Sequence, residues 1–181
     1  MRREMVVLVD ENDRPIGISE KLAAHRKGLL HRAFSIFIFN EEGHMLLQKR
    51  AEHKYHSGGL WSNACCSHPR PGESLLQAVR RRLREELGIT CPIKKAFDFI
   101  YKIRLTCGLI EYELDHVFYG LYNGTIQPNP NEVADYRWMK MDSLLSSLRL
   151  QPEKYTEWFK LILHEHDLLD RLRTVLKKDK G

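Results

Sequence analysis

Apolar and polar residues change period several times along the chain, and each change marks an element. Val6 to Val9 and Pro15 to Ile18 are short apolar runs around the polar turn Glu11-Asn12-Asp13, which predicts two strands. Ser19 to His25 then reads as a capped helical turn or loop, broken at Gly28. Ala33 to Phe39 is β-branched and aromatic, Asn40-Glu41-Glu42-Gly43 has turn chemistry, and Met45 to Arg50 resumes the apolar run. This order predicts a hairpin. Residues 51 to 72 lose all periodicity and hold Gly58, Gly59, Pro69, Pro71 and Gly72, so a long loop is expected there. A loop of that length is itself a pointer to function.

From Glu73 the apolar positions Leu76, Val79, Leu83 and Leu87 recur at three- and four-residue steps. They predict a helix with that stripe against a core, ended by Gly88. Ala96 to Leu105 and Leu109 to Tyr119 predict two further strands turning at Thr106-Cys107-Gly108. Asn123-Gly124 and Pro128-Asn129-Pro130-Asn131 punctuate the chain before a strand at Tyr136 to Met139. Pro152 suits a first helical turn, after which Trp158, Leu161, Ile162, Leu168, Leu169, Leu172 and Leu176 keep helical spacing. That tail is expected to pack against the rest.

Composition narrows the setting. With 181 residues and 43% hydrophobic residues, the chain suits one globular domain, 1–181. No apolar run approaches the ~20 residues that span a bilayer, and a soluble, cytoplasmic protein is expected. The four cysteines do not make a disulfide framework in a chain of this length, so reduced thiols are expected. A net charge of +5 favours anionic partners, yet only Lys177-Lys178-Asp179-Lys180 forms a basic end. Charge alone ranks phosphate-bearing small molecules and nucleic acid about equally. No aromatic-and-basic strip accompanies the charge, which counts against nucleic acid.

Several groups can carry chemistry. Glu85 and Glu86 follow Arg82 by three and four residues, so the three share one helix face. Paired carboxylates there can hold a hard cation such as Mg²⁺, although an Arg82–Glu86 ion pair is the plainer reading of the helix alone. Glu111 and Glu113 lie on one face of a predicted strand, continued by Asp115, while Ile110, Tyr112 and Leu114 point the other way. Taken by itself this is an ordinary solvent-facing strand. His25, His31 and His68 add imidazoles from two loops, and three histidines with two carboxylates suit a divalent transition metal. Cys66 is a thiol near a helix start, whereas Cys91 and Cys107 read as small core residues. Lys21, Arg50, Lys54 and Arg82 can clamp a diphosphate, and the Trp158 indole can face a cation. Spacing alone also allows scattered surface cations and core aromatics. His44, His53, His56, His116, His164 and His166 receive no role.

Ser67, five residues, Glu73, seven residues and Arg81-Arg82-Leu83-Arg84-Glu85-Glu86-Leu87-Gly88-Ile89 resemble the Nudix box. Ser67 stands for its opening Gly, and Arg82 for the Glu after Arg. The resemblance implies a mixed β-sheet sandwich flanked by helices, of the α/β (α+β) class. The tract Trp61-Ser62-Asn63-Ala64-Cys65-Cys66-Ser67-His68-Pro69 is similar to the signature of type I isopentenyl-diphosphate isomerases. Ala23-Ala24-His25, Leu30 to Ser35, Tyr101, Glu111-Tyr112-Glu113 and Trp158 extend the likeness over nearly the whole chain. It implies a metal site of His25, His31, His68, Glu111 and Glu113, filled by Mn²⁺, Mg²⁺ or Zn²⁺. It further implies Glu86 with the Cys66 carbonyl on a diphosphate-bound Mg²⁺, and Lys21, Arg50, Lys54 and Arg82 on the diphosphate itself. Catalysis would fall to Cys66, Glu113, Tyr101 and Trp158, in a monomer acting on a small diphosphate without nucleic acid or membrane. A diphosphohydrolase and a non-catalytic nucleotide- or RNA-binding module are the alternatives.

Overall fold

The computed structural model describes residues 4–105, 107–164, 170, 171 and 174. Thr106, His166, Leu168, Leu169, Leu172, Leu176 and the basic end at 177–180 lie outside them. Within them the chain forms β1 (Met5–Val9), β2 (Pro15–Glu20), α1 (Lys21–Lys27), β3 (His31–Phe39) and β4 (Met45–Arg50). β5 (Trp61–Asn63), β6 (Cys65–Ser67), α2 (Leu75–Leu87), β7 (Ile93–Arg104) and β8 (Ile110–Leu121) follow. The described part closes with β9 (Val133–Met139), α3 (Met141–Leu150), a 3₁₀ turn (Pro152–Lys154) and α4 (Glu157–His164). The nine strands make one mixed sheet, the α+β architecture expected.

β3 is the organising strand. It runs parallel to β8 along its whole length, from His31 opposite Glu113 to Phe39 opposite Leu121. Its other edge meets β1 at His31 and β6 at Phe34 to Ile36, antiparallel in both cases. Because both its faces are covered, it reads as an unbroken apolar run rather than an alternation. Phe34, Ile36 and Ile38 join one buried cluster with Ala78, Val79, Leu83 and Leu87 of α2. Phe37 and Phe39 join another with Leu144 and Leu148 of α3 and Trp158, Phe159 and Ile162 of α4.

Four expectations change. β3 and β4 pair only at Phe39 and Met45. β4 then turns away to pair with β9 and β5, so the expected hairpin splays at its turn. The 51–72 loop contains β5 and β6, each short enough to leave no periodic signal. In α2 Leu76 is exposed, because the helix starts at Leu75 and its packed face runs Leu75, Ala78, Val79, Leu83 and Leu87. Ser74 caps α2 in a reciprocal capping box with Gln77, which sets that start, and Gly88 ends the helix with φ 68°. Pro152 opens only a short 3₁₀ turn, and α4 starts later, at Glu157. α3 was not expected at all.

Candidate active site

β8 positions the chemistry. Its alternate residues Glu111, Glu113, Asp115, Val117 and Tyr119 share a face, and Val117 and Tyr119 pack in the cluster that contains Trp158. At the acidic end no apolar side chain can fill the space, and a cavity of about 50 Å³ remains. Lys21, Arg50, Cys66, Tyr101, Glu113 and Trp158 are among its lining residues. The carboxylates are therefore buried, with Glu111 3% and Asp115 1% exposed, against the solvent-facing strand that their spacing alone suggested.

Three histidines converge on Glu113. His25 ends α1 and His31 opens β3; their Nδ1 atoms lie 2.7 Å and 2.8 Å from the carbonyls of Lys21 and Leu29. A carbonyl only accepts, so each Nδ1 carries the proton and each Nε2 offers a lone pair. Glu113 Oε1 is 3.0 Å from His68 Nε2, 3.4 Å from His31 Nε2 and 3.8 Å from His25 Nε2. Burial holds the His25 imidazole below its usual range, and His68 is lowered to about 4 for the same reason. Both are neutral at pH 7. Burial opposes ionisation of Glu113, but the hydrogen bond from His68 Nε2 and the imidazoles around the carboxyl outweigh it and keep it well below the usual range. Glu111 goes the other way, raised by burial and by the charge on Glu113.

The proton-handling groups sit beside this cluster. The Tyr101 hydroxyl donates to Glu113 Oε2 at 2.6 Å. Cys66 Sγ donates to Asn63 Oδ1 at 3.0 Å and lies 3.5 Å from Ser35 Oγ, whose own proton goes to Asp115. Burial and the Asp115 carboxyl push the Cys66 thiol up to about 12. Arg50 lies over the Trp158 indole, 5.2 Å from the ring centre. It also donates to the carbonyls of Ser57 and His56, drawing residues 55–57 over the cavity.

Lys54, Arg82 and Glu86 are not among the cavity's lining residues. They form a second cluster against α2. Arg82 bonds Glu86, Glu85 and Glu132, Lys54 pairs with Glu132, and Gln48 donates to Glu86 at 2.9 Å. Both Glu86 oxygens are thus engaged by protein donors. The plainer reading of the helix, an Arg82–Glu86 pair, is present, but Glu86 is buried rather than solvated.

Other residues at the site received no role from the sequence. His56 Nε2 lies 3.8 Å from Glu111, and its ring meets Trp158 edge-on. Burial and the Arg50 charge lower it to about 3. No spacing ties a loop histidine to a strand carboxylate 55 positions on, so the sequence carries no signal for it. Asp115 is different, because the alternation Glu111, Glu113, Asp115 points to it directly.

Comparison with known proteins gives the family. The NUDIX domain family model matches residues 29–159. Over 156 residues the chain is 53% identical to an isopentenyl-diphosphate Delta-isomerase of Pectobacterium atrosepticum, spanning 86% of this chain and 87% of that one. Over 155 residues it is 52% identical to isopentenyl-diphosphate Delta-isomerase 2 of Aromatoleum aromaticum, spanning 86% and 82%. The chain belongs to the isopentenyl-diphosphate isomerase branch of the Nudix family. The fold is shared more widely. DR0079 from Deinococcus radiodurans superposes with a TM-score of 0.74 at 20% identity, over 90% of this chain and 99% of that one. In this family member Arg82, at the Nudix box position of a Glu, serves as counter-ion to Glu86 and Glu132.

Proposed function

We propose that the chain interconverts isopentenyl diphosphate and dimethylallyl diphosphate by a 1,3-proton shift. One observation carries the reading: a single cavity holds a thiol, a tyrosine-bonded carboxylate and an indole face. An unactivated alkene has no electron sink, so a proton is added to the terminal carbon and a tertiary carbocation results. Loss of a proton from the neighbouring methylene then places the double bond at its new position. One group gives a proton, another takes one, and the enzyme's proton count is restored with a return transfer. Cys66 serves one face of the substrate, and Glu113 with Tyr101 serves the other.

Trp158 lays its π face against the cation, a role supported by the cationic guanidinium of Arg50 already lying over it. Exclusion of water keeps the carbocation from being trapped as an alcohol. The cavity, at about 50 Å³, is far smaller than the ~300 Å³ lower end of small-molecule sites, so residues 55–57 move outward as substrate enters. Lys21 and Arg50 then meet the diphosphate at the cavity, with Lys54 and Arg82 beyond them.

The donor set fits a divalent cation. His25, His31, His68 and Glu113 lie close enough to share one ion, and Glu111 joins His25 and His56 in an adjoining group; His31 Nε2 and Glu111 Oε2 are buried without a hydrogen-bond partner. His25, His31, His68, Glu111 and Glu113 would hold Mn²⁺, Mg²⁺ or Zn²⁺, which would supply the positive field that lets two buried carboxylates ionise together. Glu86, with the Cys66 carbonyl, would hold a Mg²⁺ arriving with the diphosphate, exchanging for it the donors Gln48 and Arg82 that now engage its oxygens. The protein is read as a cytoplasmic monomer of one domain, 1–181, acting on a small diphosphate without nucleic acid or membrane. Four unpaired thiols accord with a reducing compartment. Among the described residues no helix is long and apolar enough to cross a membrane.

The test incubates purified protein with Mg²⁺ and isopentenyl diphosphate and follows the product by NMR. Dimethylallyl diphosphate is the expected product. Release of phosphate or pyrophosphate without it would overturn the isomerase in favour of a hydrolase.

A further inference from the structure

Cys66 and Trp158 come from different elements, β6 and α4, yet one hydrogen-bond chain links them. Trp158 Nε1 donates to Ser62 Oγ at 3.0 Å, and Thr156 Oγ1 donates to the same oxygen at 3.1 Å. Ser62 Oγ donates onward to Asn63 Oδ1 at 3.0 Å, where the Cys66 thiol arrives from the other side at 3.0 Å. The Asn63 amide is fixed, because its Nδ2 donates to the carbonyls of Ile36 and Cys65, each at 3.1 Å. Ser62 therefore uses its one proton and both lone pairs, and Asn63 uses both protons and both lone pairs of its amide. All the linking residues are buried, with Ser62 2%, Asn63 0% and Thr156 0% exposed.

Such saturation has a directional consequence. A hydroxyl or amide with spare capacity can rotate to suit a neighbour, whereas one with none forces its partners into a single arrangement. The indole edge is held at β5, so its face is presented to the cavity. The thiol is held by the same strand.

We propose that Ser62 and Asn63 are positioning residues, which lock the Trp158 indole and the Cys66 thiol into one frame across the cavity. Neither touches substrate. They set the distance between the group that moves a proton and the face that stabilises the resulting cation, and an ångström of misplacement is costly in such a site. The inference rests on the isomerase reading for its catalytic meaning, while the frame itself can be observed without turnover.

Two measurements test it. In ¹⁵N NMR of the wild-type protein, with the resonance assigned by Trp158→Phe, the Trp158 indole N–H is expected to exchange slowly with solvent. Ser62→Ala should shift that resonance and speed its exchange at least tenfold. In kinetics Ser62→Ala should lower kcat by about tenfold, the equivalent of one lost hydrogen bond, with KM within about twofold. Ser62→Thr, which keeps the hydroxyl, should recover most of kcat. The losses from Ser62→Ala and Asn63→Ala should fail to multiply in the double variant, as members of one unit do. Full kcat in Ser62→Ala, multiplicative losses, or a freely exchanging wild-type indole would each overturn the frame. The last needs neither the Ser62 nor the Asn63 variant to fold. A wild-type protein with a protected indole and no isomerisation would instead overturn the isomerase reading and leave the frame standing.

Discussion

Buried charge occurs in two places, one on each side of β6, and the two are built differently. Cys65 faces the α2 side, beside Glu86, and Cys66 faces the cavity. In the α2 cluster Glu86 has a donor on each oxygen and Glu132 has Lys54 and Arg82. At the cavity His68 Nδ1 and Glu111 Oε2 are buried with no partner, and so are His31 Nε2 and Asp115 Oδ1 behind its wall. Buried polar atoms are paired in nearly all proteins, so a concentration of orphans needs a reason. The α2 cluster is complete within the chain, apart from Arg82 Nε. The cavity is complete only with something added, and its excess of lone pairs asks for a cation.

The contrast breaks most sharply at Cys66. A variant Cys66→Ala removes a proton-handling group from the incomplete cluster, and isomerisation should fall by roughly a thousandfold or more. Melting should move little, because the thiol is a small part of the packing. Retained turnover, read by NMR of the product, would remove Cys66 from its role. The next largest effect belongs to the complete cluster. Arg82→Met leaves buried Glu86 without its counter-ion and Glu132 with Lys54 alone, and should cost about 3–5 kcal/mol, measured by urea denaturation. A loss below about 1 kcal/mol would mean that the cluster is not held together by that pairing.

These two clusters were unequally legible in the sequence. The acidic alternation on β8 and the helix ion pairs are local, fixed by the period of a strand and of a helix. Whether the Glu111 face meets water or core depends on β8 lying against β3, a contact between residues about 80 positions apart. Periodicity does not carry that information, and a strand of alternating carboxylates reads as exposed. His56 was silent for the same reason. α3 is another case, since Leu144 and Leu148 bury at a four-residue step that marks a helix, yet Ser143 before them and Ser146 and Ser147 between them dilute the pattern. The splay of β3 from β4 is set by their partners β8 and β9, not by the turn at Asn40 to Gly43.

One carboxylate from each cluster, Asp115 and Glu132, should answer pH with opposite signs. Asp115 is raised to about 8 by burial and by the charge on Glu113, from 3.8 when unfolded. Between those values the metal-free folded protein holds a proton that the unfolded chain releases, so its contribution is present below 3.8 and lost as pH rises to 8. Asp115→Asn should therefore gain stability over wild type as pH rises from 5 to 7, by about 2–3 kcal/mol. Glu132 is lowered, because Lys54 and Arg82 outweigh its burial. Its contribution is present above 4.5 and lost as pH falls through its folded value. Glu132→Gln should cost about 1 kcal/mol at pH 7 and progressively less in acid. Denaturation of chelator-treated protein across pH checks both slopes, and slopes of the same sign would erase the distinction.

The smallest effect is the most discriminating, because the Arg82 guanidinium, besides Glu132, serves two carboxylates of its own helix that differ in burial. Arg82 Nη1 bonds Glu85 at 2.9 Å, with the Glu85 side chain 38% exposed, and Arg82 Nη2 bonds Glu86, 5% exposed. Geometry is similar, and the cation is shared. Water already solvates Glu85, so its pairing adds little beyond what solvent gives, and the long side chains lose freedom in making it. Glu85→Gln should change stability by less than about 1 kcal/mol, well below the cost of stranding Glu86 through Arg82→Met. If the two variants cost the same, burial would not be what separates a structural ion pair from an incidental one here. The reading of the cavity's orphaned lone pairs would weaken with it, since it rests on the same premise that desolvation makes an unpaired group expensive.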